Sequence, residues 1–297
     1  MMDYKLLQAL ACVVEQGGFE RAARLMGLSQ SAVSQRIKLL EARVGAPVLR
    51  RVSPPAPTDT GQRLLNHVQQ VRLLESDLQR DVPMQGEDAA PPRLRVALNA
   101  DSLATWWAAA VADLCREQGL LLDLLVDDQD VGLRRMRAGE VVGCLCATER
   151  PVAGARSLAL GAMRYLAVAS PAFIARHFAA GVTAEALGNA PSVVFGPDDQ
   201  LQHRFLASCG FASEFPHHLC PSSEGFVRVI SSGMGWGMIP ALQAQQELAS
   251  GQLLELLPGR HIDVPLYWHY WRNGGQLLEQ LTRQLREQAP RWLAVAG

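Results

Sequence analysis

Ser31, Ser34, Gln35 and Lys38 recur at i, i+3, i+4 and i+7, so on a helix they share one face of hydroxyl, amide and ammonium groups with no carboxylate. Such a face can donate to phosphate oxygens and to base edges, whereas an acid there would repel a polynucleotide backbone. Gln30 opens the same helix. Arg36 lies about 140° round from Ser31 at about 100° per residue, which suits a flanking phosphate better than a base edge. A polar helix face is more often merely solvated, so the surrounding residues decide what this one does.

Those residues build a helix pair. Ser29 is placed as an N-cap, and Val33, Ile37, Leu40 and Val44 form the apolar stripe opposite the polar face. Phe19, Ala22, Ala23 and Met26 give a preceding short helix with a small-residue face, and Gly27 permits the sharp turn between the two. Upstream, Asp3 caps a helix with Tyr4, Leu7, Ala11 and Val14 on one face. Downstream, residues 47–52 read as the first strand of a wing, where Arg50 and Arg51 would clamp phosphates. The run Pro54-Pro55-Ala56-Pro57 makes the wing's turn and is not expected to pair as strand. Thr58 then caps a long helix to about residue 81. Its Leu64, Val71 and Leu78 are spaced by seven with Leu74 in the second seam position, a short seam suited to a dimer. Residues 83–92 carry Pro, Gly and acids without apolar period and read as a hinge.

Beyond the hinge, apolar runs at 94–98, 120–126, 141–147, 192–195 and 236–239 alternate with helical patterns. The helices fall at 103–117, 131–138, 199–207, 223–232 and 276–288. This predicts an α/β fold with parallel sheet covered on both faces, in two lobes joined by crossovers near 164–169 and 266–271. In such a fold ligands bind outside the carboxyl ends of strands. That rule selects Asn99, Ala100, Asp101 and Ser102 after the first strand, Asp127 and Asp128 after the second, Phe195 at the end of a later one, and Glu224 at a helix start. Ser102, beside free backbone N–H groups, can hold a carboxylate. Asp101, Asp127, Asp128 and Glu224 would suit an ammonium or guanidinium. A basic amino acid, lysine or arginine, satisfies both, although acids at helix starts are also favoured by the helix dipole alone.

The net charge of −1 conceals an asymmetry. Residues 1–66 hold nine basic and five acidic side chains, so the first module is the part that faces nucleic acid. Six cysteines show no CxxC pair or zinc-finger spacing, and His217-His218 has no partner at ligand spacing, so neither a metal nor a cofactor is expected. Cys144 and Cys146 point to one face of a strand as buried free thiols. No nucleophile elbow, P-loop, dinucleotide fingerprint or zinc-protease motif points to an enzyme. Neither a leader nor an apolar run of membrane length is present, which implies a cytoplasmic protein.

From Phe19 to Glu41 the chain carries F-x-x-A-A-x-x-M-x-x-S-Q-S-A-V-S-x-x-I-x-x-L-E. In this it resembles the winged helix-turn-helix of the LysR-type transcriptional regulators. PPAPT in the wing, NADSLATW, VDDQD and SSEGFVRVI…GMGWGMIP look like the ArgP- and LysG-like branch, from which the chain departs over residues 150–157. The resemblance implies a winged helix-turn-helix at 1–60 and a dimerising linker helix and hinge at 61–90. It also implies an effector domain at 91–297 built like periplasmic binding proteins, with lobe I at about 91–163 and 270–297 and lobe II at about 164–269. Double-stranded promoter DNA, RNA polymerase, a basic amino-acid effector and a homodimer or homotetramer are the implied partners, with control of amino-acid export or metabolism genes. The alternative is an architectural or replication-initiation-inhibiting DNA binder with little effector dependence.

Overall fold

The computed structural model describes residues 3–50, 52–81, 91–126, 131–212 and 214–295. Arg51, Asp127, Asp128 and most of the expected hinge lie outside them. The first module packs α1 (Tyr4–Glu15), α2 (Phe19–Leu25) and α3 (Gln30–Val44) around one apolar core. Asp3 caps α1 by accepting from the Lys5 N–H over 3.1 Å. The buried surface of α1 is wider than the expected stripe. Leu6, Leu7, Ala9, Leu10, Ala11, Cys12 and Val13 are all buried, because helices press on it from several sides, while Tyr4 and Val14 are only half-buried.

The wing is a two-stranded antiparallel sheet of β1 (Leu49–Arg50) and β2 (Ala56–Pro57), with Leu49 opposite Pro57 and Arg50 opposite Ala56. Thus the end of the proline run pairs, against expectation. In a strand this short and free on its outer side, a proline costs no ladder bond to a further strand. Glu41 fixes where the wing starts, its Oε1 accepting from the Val48 N–H at 3.0 Å. Thr58 closes the other end. Its hydroxyl donates to Pro47 O over 2.7 Å and accepts from the Gly61 N–H over 3.1 Å, capping α4 (Asp59–Asp81). The heptad reading of α4 is modified. Leu64 joins Leu65 and Val68 in the first module's core, while half-buried Val71 and the exposed Leu74 and Leu78, at 51% and 55%, remain outside it.

The larger part of the chain is mixed rather than parallel sheet. β3 (Arg93–Leu98) pairs in parallel with β4 (Leu121–Val126) and β5 (Gly143–Cys146). The crossovers are longer than predicted. β6 (Ala155–Ala169) and β11 (His261–Trp271) pair antiparallel from Ala155 to Leu166, the whole length of β11, and β11 is antiparallel to β5. Their far halves carry the second lobe. There β6 also pairs with β9 (Gly237–Pro240) and β10 (Leu254–Glu255), and β7 (Ser192–Val194) pairs with β8 (His217–Leu219). The register slips between Leu266 and Tyr267, opposite Gly161. Gly161 has φ +131°, and a Cβ there would lie 2.8 Å from Ala294 O, so the bend between lobes requires glycine.

A continuous helix follows β3: Ala100–Ser102, a π turn at Leu103–Trp107, then Ala108–Gln118. The wider turn places consecutive tryptophans, Trp106 and Trp107, both inside the core, with Trp107 5.6 Å from the Trp268 ring. The last long helix, Gly275–Gln288, returns to this lobe, where Thr282 accepts from Trp268 Nε1 at 3.0 Å. Short helices at Ala184–Asn189 and Ala241–Ser250 had no strong sequence signal. No helix among the described residues is long and apolar enough to cross a membrane.

Candidate DNA interface and ligand cleft

α3 begins as the sequence predicts. Ser29 Oγ accepts from the Ala32 N–H at 3.2 Å and lies 2.9 Å from Ser31 Oγ. Val33, Ile37 and Leu40 are buried, which turns Gln30, Ser31, Gln35 and Lys38 to solvent. Ser34 and Arg36 are half-buried. A groove of about 620 Å³ runs between α3, the start of α2 and the wing, and Gln30, Ser34, Lys38, Arg21 and Arg50 line it. Wing and helix therefore share one groove, lined by Arg21, Lys38 and Arg50 and also by Glu20 and Glu41. Arg21 was not singled out from sequence. It stands in the first turn of α2, where its guanidinium is braced by a 3.0 Å bond to Gly17 O.

The second site lies where the two lobes face each other. Asp101, in the first turn after β3, accepts at Oδ1 from Ser223 Oγ and at Oδ2 from Tyr165 Oη, both at 2.6 Å. Ser223 opens the helix Ser223–Ser231 of the other lobe, capped by Ser222, and Tyr165 belongs to β6. Three elements are thus tied to one carboxylate. Gln243 secures Ser223 from behind, donating to its carbonyl over 3.0 Å while its own Oε1 lies 3.1 Å from Ser223 Oγ.

Burial pushes the Asp101 carboxyl above its ordinary range. The hydrogen bonds from Ser223 and Tyr165 oppose that shift, and the nearby Asp199 carboxylate adds to it. Burial and the Asp101 carboxylate together raise the Tyr165 phenol well above its usual value. Asp199 is oriented by backbone donors, Phe195 N–H at 2.9 Å and Leu201 N–H at 3.0 Å. Among the described residues neither acid has a basic side-chain partner. Beside them Ser102 Oγ and Asn99 Oδ1 are buried with no hydrogen-bond partner, at the start of the same helix that carries Asp101.

Of the expected ligand residues, Asn99, Ala100, Asp101 and Ser102 are together here, and half-buried Phe195 holds Asp199. Glu224 is exposed in the first helical turn beside Ser223, and the hydrogen bonds to Asp101 come from Ser223 and Tyr165 instead. Sequence reasoning passes over Tyr165 and Gln243, and reaches Asp199 and Ser223 only through the loops that hold them, 196–199 and 222–224. Only Asp199 and Ser223 lay in loops at strand ends, and nothing in the local pattern aims Tyr165 at Asp101.

Cys144 and Cys146 are buried side by side on β5, as their alternation implied. The Cys144 thiol, joined by His269, lowers Cys146 to about 5 against the opposite pull of burial. No cluster of three metal-ligating side chains occurs among the described residues.

Residues 4–62 match the family of bacterial regulatory helix-turn-helix proteins, lysR family, and residues 87–293 match the LysR substrate binding domain. The chain is 69% identical over 293 residues to the HTH-type transcriptional regulator ArgP of Pseudomonas fluorescens, covering 99% of each. Its structure is similar to that of ArgP from Mycobacterium tuberculosis at TM-score 0.90 and 38% identity, covering 100% of both chains. It is also similar to full-length LysG from Corynebacterium glutamicum with bound effector Arg, at TM-score 0.82 and 32% identity, over 99% of this chain and 100% of that one.

Proposed function

The chain belongs to the LysR family of DNA-binding transcriptional regulators, and on that premise we propose that its effector is a basic amino acid held by Asp101 and Asp199. The observation that carries this reading is the pair of carboxylates in the cleft, Asp101 half-buried and Asp199 beside it, with no cationic side chain among the described residues to neutralise either. Burying an unpaired carboxylate is costly, and a ligand guanidinium or ammonium would offset that cost. The ligand's own carboxylate would take the unpartnered Ser102 hydroxyl and the adjacent helix N-terminus. The arginine in the LysG structure has this chemistry, an anionic head with a cationic tail.

Ligand in the cleft would replace the direct Asp101–Ser223 bridge by bonds through itself and so reset the angle between lobes. The first module, residues 1–60, reads promoter DNA with α3 in the major groove and Arg50 and Arg51 on phosphates. Residues 61–90 link it to the effector domain, 91–297, and the exposed Leu74 and Leu78 pair α4 with that of a second copy. The oligomer acts in the cytoplasm on RNA polymerase at genes for amino-acid export or metabolism.

Footprinting of the promoters beside the chain's own gene, with and without arginine and lysine, tests this. A protected region whose length or pattern changes with either amino acid supports it. Identical footprints in all three conditions would leave a DNA binder without this effector.

A further inference from the structure

A second hollow, of about 830 Å³, opens on the first lobe away from the cleft. Register explains why it exists. Cys144 and Cys146 on β5, Tyr267 and His269 on β11, and Ala155, Ser157 and Ala159 on β6 fall on one face of the sheet. The helix Val131–Arg137 covers that face over β3 and β5, where a Cβ on Gly132 would lie 3.2 Å from Cys144 Cβ. Over β11 and β6 the hollow lies instead, at the free edge of β6, with Tyr267 on this face and Tyr270 and Arg156 on the other.

Its rim is cationic. Arg150, Arg156 and Arg272 line it, and none of the three has an ion-pair partner among the described residues, although Glu149 stands in the same rim. Elsewhere in the domain, arginines near an acid take it up, as Arg164 does with both oxygens of Asp263 at 2.9 Å. Ser157 Oγ, on the floor, is buried without a hydrogen-bond partner. Three arginines without an ion-pair partner among the described residues, lining one open hollow, match an oxyanion carried on a small organic body. The acid-lined cleft has the opposite sign and would repel such a ligand, so the two sites would not compete. They do share β6, which carries Ser157 here and Tyr165 in the cleft.

We propose that this hollow is a second ligand site, for a small multivalent oxyanion, either a polycarboxylate or a phosphate compound. The test is calorimetric titration of the full-length protein with citrate and, separately, with inorganic phosphate, each against potassium chloride at matched ionic strength. The same titrations are repeated on Arg156→Gln/Arg272→Gln, with circular dichroism and arginine binding as controls of folding. Saturable binding of either probe, weakened at least about tenfold in the double variant while arginine binding is kept, supports the site. Citrate alone points to polycarboxylates and phosphate alone to phosphate compounds. Absence of saturable binding with both probes, or binding unchanged in the variant, overturns the proposal. So does a variant that loses promoter affinity in the absence of any probe binding, which would assign these arginines to the DNA backbone.

Discussion

Ser223 and Asp101 meet across the cleft at 2.6 Å, and Ser223 has one hydroxyl proton for two acceptors, Asp101 Oδ1 and Gln243 Oε1. Two acceptors competing for one proton weaken the hydroxyl's support of the Asp101 carboxylate. Tyr165 still donates to Oδ2. The raised proton affinity of Asp101, due first to burial, agrees with this arrangement. A cationic ligand held by Asp101 would oppose that shift and favour the ionised carboxyl.

Proton release on binding follows, with a defined sign. Below the raised Asp101 pKa the carboxyl is neutral and attracts a cation poorly; as pH rises through it, arginine affinity increases. For folding the order is reversed. A raised folded-state value means stability that is full below the ordinary carboxylate range and lost as pH rises through the folded value. Titrations in buffers of differing ionisation enthalpy should report proton release that fades once pH exceeds the folded value, and equal heats in all buffers at every pH would contradict it.

Gly61→Ala should destabilise the DNA-binding module. A Cβ at this position would sit 1.9 Å from Val48 O, a backbone atom that cannot swing aside. The start of α4 and the wing would have to separate, at a cost of about 1–3 kcal/mol, the range typical of overpacking. Thermal unfolding and promoter affinity should both fall, whereas arginine binding by the effector domain should be retained.

On DNA, Arg50 and Gln35 should differ in kind. Arg50→Ala removes a wing guanidinium and should weaken binding to all sequences alike, lowering the salt slope by about 1. Gln35→Ala removes an amide from the exposed centre of α3 and should relax discrimination at particular base pairs by about 1–3 kcal/mol each, leaving the slope unchanged. Competition assays across salt concentrations separate these outcomes.

Signal passage between the modules has a visible contact. Asn66 on α4 donates to Arg137 O at 3.0 Å, and Gln62 donates to the neighbouring Ala138 O. Those carbonyls close the helix Val131–Arg137 of the effector domain. Asn66→Ala should keep arginine affinity and DNA affinity separately but reduce the effect of one on the other, read as the arginine-dependent change in footprint.

The DNA-reading half was legible because its signals are local: a serine cap, a helical stripe, a glycine turn, all within one short stretch. The wing was half legible, since proline chemistry at Pro57 says what cannot pair in a sheet interior but not that this sheet would have only two strands. In the effector domain the strand-end rule singles out Asn99 to Ser102, which do lie at the start of the helix after β3, because that motif is a strand followed at once by a helix. It could not find Tyr165 or Gln243, which reach Asp101 and Ser223 only through tertiary approach. The full extent of β6 and β11 was hidden for a related reason. Residues such as Arg156, Ser157 and Gly161 look like loop until the long antiparallel partner is known.

The central claim, that a buried carboxylate reads the positive charge of a basic amino acid, is tested most directly by calorimetry with arginine and with citrulline, its uncharged isostere. The account predicts that arginine binds the intact protein saturably, that citrulline binds at least about a hundredfold more weakly, and that Asp101→Asn abolishes the difference between them. Equal affinity for both ligands, or an Asp101→Asn protein that still prefers arginine, would contradict it.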